Sequence, residues 1–261
     1  MNSPETQTAL ITGASSGIGL ELAKILASAK YNLVITARSL EALETLATQL
    51  RRDSAQITVI PADLSTPDGP KVLLEEIRKR DIHIDVLINN AGLGTHGPFW
   101  KNDLEKEMSL LQVNVLSLAY LTHELLPSMV EHGHGKILNV ASTAAFQPGP
   151  LMANYYASKA YVLSFSEALS NELRRTGVTV TALCPGPTLT DFHRRAGIKN
   201  SKLFELTGMS AAQVAKAGYQ AMLAGKRVCI PGFTNRLLVA AVRFSPRRFV
   251  MRTVRKLNQS R

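Results

Sequence analysis

The sequence predicts a doubly wound α/β fold, a mostly parallel sheet of six or seven strands with helices on both faces. Three observations carry this reading. Short apolar runs alternate with stretches of helical periodicity along most of the chain. The first run, TALI, is continuously apolar rather than alternating, as a strand buried on both faces is. It passes through a glycine-rich turn, TGASSGIG at 12–19, directly into a helical pattern. A chain of 261 residues with 45% hydrophobic content is long enough to bury such a core as one domain.

The elements follow in order. TALI (8–11) is strand one, and LELAKILASAK (20–30) has leucines and alanines at helical spacing. YNLVITA (31–37) is strand two and SLEALETLATQLRR (39–52) a helix with a polar face. ITVIPADL (57–64) is strand three, PKVLLEEIRKR (70–80) a helix and IDVLINNAG (84–92) strand four. Residues 103–132 read as one long helix, 135–143 as strand five, 157–177 as a helix ended by Gly177, and 178–186 as strand six. KRVCIPG (226–232) is the candidate seventh strand. Right-handed crossovers wind these into two halves, and ligands of such sheets bind at the carboxyl ends of the strands.

The residues at those ends are therefore the candidates for function. In the first turn, Gly13, Gly17 and Gly19 permit tight dihedrals and close approach of a phosphate. The helix start offers unpaired N–H groups, and Ser15 and Ser16 add hydroxyl donors. The turn is neither G-x-G-x-x-G nor a Walker A loop. Strand two ends Thr36-Ala37-Arg38 with no carboxylate, which favours clamping of a ribose 2′-phosphate by Arg38, with help from Ser39, and so NADP over NAD. Asp63 ends strand three, where it either accepts from an adenine amino group with Leu64 packed beside the ring, or makes an Asx turn with Ser65. Asn89-Asn90-Ala91-Gly92 ends strand four, with small residues that admit a ribose and amides that can tie strands together.

Ser142 closes strand five, and Tyr155 and Lys159 follow at a spacing that places them on one helix face. A free tyrosine, with pKa near 10, is a poor acid at neutrality. A neighbouring ammonium stabilises the phenolate and makes Tyr155 able to exchange a proton with a carbonyl or alcohol oxygen, while Ser142 holds the same oxygen. Tyr156 competes for the role, but its i+4 partner is Ala160. Asn114 lies inside an apolar helical stretch, where it either kinks the helix and holds a proton-relaying water for Lys159, or is a buried structural amide.

TGASSGIG, Asp63, NNAG, Asn114, Ser142, Tyr155-x-x-x-Lys159 and PGPTLT (185–190) together resemble the short-chain dehydrogenase/reductase family, in that family's order, over most of the first 190 residues. The resemblance implies a Rossmann-type fold and a catalytic tetrad of Asn114, Ser142, Tyr155 and Lys159. It implies cofactor contacts through Gly13, Ser15, Ile18, Arg38, Asp63, Asn90, Lys159 and Thr190, and the motifs around them extend the expected cofactor site to Ser16, Gly17, Gly19, Leu64, Ala91, Gly92, Tyr155, Pro185, Gly186 and Thr188. Ser16 departs from the Lys or Arg that many NADP-using members place there, which leaves Arg38 with most of the 2′-phosphate argument.

The expected function is NADP-dependent hydride transfer to or from an apolar carbonyl or alcohol, with a ketone reductase first. An NAD-dependent alcohol dehydrogenase and a non-catalytic cofactor-binding scaffold are the alternatives. Phe99, Phe146, Leu151, Met152, Leu189, Phe192 and Phe204 are the expected apolar walls, with Arg194 and Arg195 at the rim for a phosphate or coenzyme A. His96 either touches substrate or faces solvent. The pair His132-x-His134 has no evident third ligand, so no metal is expected. Two cysteines give no disulfide framework and, with a polar start, fit a reducing cytoplasm; Cys184 is expected to pack. Homodimers or homotetramers are expected.

Charge is unevenly distributed. Residues 1–205 hold 19 Lys+Arg and 20 Asp+Glu, whereas residues 206–261 hold 11 Lys+Arg and no acid. The chain is thus read as a catalytic domain over 1–232 and a basic amphipathic extension over 233–261. That extension's apolar face of Leu237, Leu238, Ala241 and Phe244 is expected to dock on the body or on a second subunit, with a peripheral contact to anionic membrane as the alternative. No nucleic-acid motif accompanies the charge.

Overall fold

The computed structural model describes residues 6–51, 56–192, 196 and 208–259. Its sheet is β1 (Thr8–Thr12), β2 (Asn32–Thr36), β3 (Ile57–Val59), β4 (Val86–Asn89), β5 (Gly135–Val140), β6 (Val178–Leu183) and a two-residue strand, β9 (Val228–Cys229). The order is β3-β2-β1-β4-β5-β6-β9, with every pair parallel. A separate ribbon pairs β7 (Thr188–Leu189) with β8 (Met209–Ser210). The described helices are α1 (Gly17–Ser28), α2 (Leu40–Leu50), α3 (Gly69–Lys79), α4 (Leu104–Leu111), α5 (Leu118–Glu131), α6 (Ala153–Glu172), α7 (Ala211–Leu223), α8 (Phe233–Phe244) and α9 (Arg247–Gln259).

Strand periodicity divides the core in two. Ala9, Ile11, Leu33, Ile35, Val86 and Ile88 point to the face covered by α1, α2 and α7. Leu10, Val34 and Leu87, their sequence neighbours, pack on the opposite face beneath α3 and α5. Neither face of the central strands meets water, which is why these runs are continuously apolar.

Several sequence boundaries move: strands three, four and six shorten to Ile57–Val59, Val86–Asn89 and Val178–Leu183, and three other changes bear on the site. The long helix expected over 103–132 is interrupted: Gln112–Ser117 forms a π-helical segment between α4 and α5. The helix expected at 157–177 begins at Ala153 and ends at Glu172, which puts Tyr155 in its first turn. Strand five stops at Val140, so Ser142 stands beyond the sheet, capping the short turn Thr143–Phe146.

Both tail helices lie on the body, but not by the face read from the sequence. Leu237, Leu238 and Phe244 are 60%, 61% and 89% exposed, whereas Val239, Val250, Val254 and Asn258 are buried. The docking face of α9 is the i, i+4, i+8 row Val250, Val254, Asn258.

Candidate active site

The strand order reverses between β1 and β4, the place where an open parallel sheet leaves a crevice at its carboxyl edge. A cleft of about 440 Å³ opens there and runs from Arg38 past Asp63 and Asn90 to Ser142, Tyr155, Lys159 and Phe192. It takes in every residue that the sequence assigns to cofactor or catalysis except Gly19 and Asn114. Those two act from behind the wall.

The glycine loop is shaped by what it must pass. Gly13 has φ +65, and a Cβ there would lie 2.9 Å from the Ala91 Cα. At Gly19 a Cβ would lie 2.4 Å from the Asn90 Nδ2, which donates to the carbonyls of Thr12 and Gly13 at 2.9 and 3.1 Å. The loop and the end of β4 are therefore one locked unit. Ser16 is the N-cap residue of α1. Arg38 is exposed just beyond β2. Asp63 Oδ1 accepts from both the amide and the hydroxyl of Ser65, so the Asx turn forms while the carboxylate still lines the cleft. Burial pushes its pKa up, but the two Ser65 bonds and the nearby Arg38 charge outweigh that and hold it below its usual value.

Asn114 is 1% exposed and sits in the π-helical segment. Its Oδ1 accepts from the Leu93 amide at 2.9 Å. Its Nδ2 donates to the Leu93 carbonyl and to Ser158 Oγ, both at 3.0 Å. Ser158 in turn donates to the Tyr155 carbonyl at 2.7 Å. Asn114 thus joins the loop after β4 to the helix that carries Tyr155 and Lys159. Glu107 does similar work: buried in α4, it accepts from Asn102 and from Asn154, the residue before Tyr155.

Lys159 is buried, and its Nζ donates to the Val140 carbonyl at 2.7 Å. Desolvation lowers its pKa to about 8. The same Nζ stands 6.0 Å from the centre of the Tyr155 ring. Ser142 Oγ accepts from the Ala144 amide at 3.1 Å and keeps a long 3.5 Å contact to the Pro185 carbonyl. Tyr156 packs over Gly149, where a Cβ would meet its ring at 2.1 Å, so it is a wall residue rather than a rival for Tyr155.

Among the described residues, fewer of the expected apolar walls reach the cleft than the sequence suggests. Phe192 lies 5.4 Å from the Tyr155 ring and, with Met152 and Ala196, forms a local apolar cluster. Phe99 is 53% exposed and Leu189 is 43% exposed, and neither lines the cleft, nor do Phe146 and Leu151. Phe146 instead packs against the core beside Leu118 and Val162. Phe204, Arg194 and Arg195 lie outside the described residues.

A further contact beside the cleft was not legible in the sequence. Asn258 Nδ2 donates to the Pro150 carbonyl at 2.9 Å, while the Asn258 carbonyl accepts from His96 Nε2 at 2.8 Å. His96 is thus engaged with the end of α9 through Nε2. The end of α9 ties together the two loops, 92–100 and 144–154, that flank the cleft.

At the opposite edge of the sheet His134 does find neighbours, His83 and Asp85, with ligand-type atoms within 4.8 Å of one another. The members of the group are bonded to one another and to the backbone. Asp85 Oδ2 accepts from the Thr8 amide at 2.8 Å, and Oδ1 from His134 Nε2 at 2.7 Å. His134 Nδ1 faces the His132 carbonyl at 3.3 Å, so both ring nitrogens point at acceptors and the imidazolium form fits best. The Asp85 bond and the His132 carbonyl raise the His134 pKa accordingly. Cys184 is fully buried and its thiol is pushed up to about 12 by desolvation, which leaves it a packing residue.

Comparison with known proteins shows the family and the fold. A family model described as short chain dehydrogenase matches residues 7–200. The ketoacyl reductase HetN of Nostoc sp. is 35% identical over 180 residues, 69% of this chain and 63% of that protein's length. Among solved structures, a short-chain dehydrogenase from Sphingobium yanoikuyae in complex with NADPH has TM-score 0.80 and 35% identity, covering 87% of this chain and 88% of that one. One from Burkholderia phymatum in complex with NAD has TM-score 0.80 and 25% identity, covering 93% and 94%.

Proposed function

This chain belongs to the short-chain dehydrogenase family, and on that premise we propose that it is an NADP-dependent reductase of apolar ketones. The observation that carries the reading is the convergence of Ser142, Tyr155 and buried Lys159 on one cleft that also contains the glycine loop and Arg38. The residues present fit a nicotinamide dinucleotide: Gly13 and Gly17 hold positive φ in the tight loop that lines the cleft, the start of α1 offers its amides, and at Gly92 a Cβ would stand in ordinary contact, 3.5 Å from the Asn114 Oδ1 and the Lys159 Nζ. When bound, such a cofactor supplies the hydride.

The chain's own residues manage the proton. At neutral pH a lysine with pKa about 8 is mostly charged, and its ammonium favours the Tyr155 phenolate, making the phenol a stronger acid. Tyr155 Oη then donates its proton to the carbonyl oxygen. Ser142 can turn its hydroxyl from the long Pro185 contact onto the same oxygen and stabilise the charge developing there. Asn114 and Glu107 hold the elements that position Tyr155 and Lys159.

Arg38 supports NADP, because no acid follows β2 and the Asp63 carboxylate is already engaged by Ser65. Ser16 favours the NAD-dependent alternative, as does the NAD in the Burkholderia relative. The ketone class rests on Phe192 and Met152 beside Tyr155, and on the ketoacyl reductase named among the relatives. Initial rates with NADPH and NADH against a panel of apolar ketones test this. Turnover with NADH alone removes the NADP preference, and no turnover of any ketone removes the reductase reading.

A further inference from the structure

We propose that the outward face of α8 and α9 is a docking surface for an anionic lipid bilayer. The two helices have opposite duties on their two sides. Their inner sides are committed: Asn235, where a Cβ on Gly186 would already touch, together with Val239 on α8 and Val250, Val254 and Asn258 on α9. Among the described residues, their outer sides carry large exposed apolar side chains. Phe233, Leu237 and Phe244 recur at i, i+4 and i+11 on α8, across the helix from Val239, and are 81%, 60% and 89% exposed. Phe249 on α9 is 63% exposed.

Charge selects the occupant. Residues 233–261 hold eight Lys+Arg and no acid. The cations that face outward are those of α9: Arg248, Arg252, Arg255 and Lys256 are exposed there, away from its valines, whereas Arg236 on α8 donates its Nε to the Ile230 carbonyl and Arg243 lies toward the body. A second copy presenting the same face would bring like charges together, and a neutral apolar partner would leave the arginines without counterions. An anionic membrane interface meets both needs, with acyl chains for the phenylalanines and headgroup phosphates for the guanidinium groups. The helices have 12 and 13 residues, far short of the roughly 20 needed to span, and no described helix is long and apolar enough to cross a membrane. They lie on the surface rather than traverse it.

The test uses the full chain and cosedimentation with vesicles of phosphatidylcholine alone and of equimolar phosphatidylcholine and phosphatidylglycerol. Sedimentation with the anionic vesicles only, reversed by salt, is expected. Replacing Arg248, Arg252, Arg255 and Lys256 together by Gln should weaken partitioning at least about tenfold. The pair Phe244→Ser and Phe249→Ser should weaken it too without lowering the melting temperature, since both rings are exposed. Binding to both vesicle types alike, or to neither, overturns the proposal. A concentration-dependent doubling of solution mass that Phe244→Ser abolishes, with no vesicle binding, also overturns it and assigns the face to a second copy.

Discussion

Asn258→Ala is a sharp perturbation because it deletes one bond far from the chemistry and leaves the backbone contact to His96 intact. The side chain is 1% exposed and donates to the Pro150 carbonyl at 2.9 Å. A net hydrogen bond contributes roughly 0.5–1.5 kcal/mol, and a buried acceptor left unpaired costs roughly 1–3 kcal/mol. The expected loss is therefore about 1–3 kcal/mol, or roughly 2–4 °C in melting temperature for each kcal/mol in a chain of this size. Asn258→Asp is nearly isosteric but turns the donor into an acceptor facing a carbonyl, so it should destabilise at least as much as Ala. Because Pro150 belongs to a loop that flanks the cleft, the KM for ketone should rise while the Kd for NADPH stays constant. Thermal melts and steady-state kinetics on both variants check this. An Asp variant as stable as the native chain would refute the reading of Asn258 as the clamp between the tail and that loop.

Four other outcomes follow from the site. Tyr155→Phe keeps the ring but removes the proton, and kcat should fall at least about 100-fold with cofactor affinity little changed; near-native turnover would reject the assignment. Arg38→Ala should weaken NADPH binding by roughly ten- to a hundred-fold and spare NADH, read from dissociation constants at one salt concentration. Ketone reduction should decline as pH rises through about 8, where Lys159 loses its charge and Tyr155 its electrostatic support, and a kcat–pH profile flat to pH 10 would contradict that role. The Asp85–His134 bond raises the histidine pKa above 6.5, so its stabilisation is complete below that value and is lost as pH rises through the higher folded-state pKa; His134→Gln should flatten this part of the stability–pH curve in denaturant titrations.

What was legible in the sequence was what local chemistry dictates. Continuous apolar runs such as TALI mark strands buried on both faces. TGASSGIG marks a tight turn from a strand into a helix, and the Tyr155–Lys159 spacing marks a shared helix face. The rest depends on tertiary choice. Helix α8 carries apolar residues nearly all round, so periodicity leaves open which side docks, and the compact Val239 rather than Leu237 or Phe244 meets the body. The clamp at Asn258 joins residues 108 apart in sequence to Pro150, and a lone polar residue near a chain end announces nothing. Phe99, Phe146 and Leu151 looked like pocket walls because their loops flank the cleft, but a loop has two sides.

The π-helical segment at Gln112–Ser117 carries one residue more than a regular turn would hold. That surplus residue is a phase shift: everything before it is rotated by about 100° relative to everything after it. Removing one residue from the segment would let α4 and α5 fuse into a single regular helix, but would swing either Asn114 or the Glu107 carboxylate off its partners. In this stretch, then, a more regular helix and an assembled site are competing outcomes of one insertion. Selection for thermal robustness alone would tend to erase the irregularity, so its presence marks a length of helix whose geometry is set by the site.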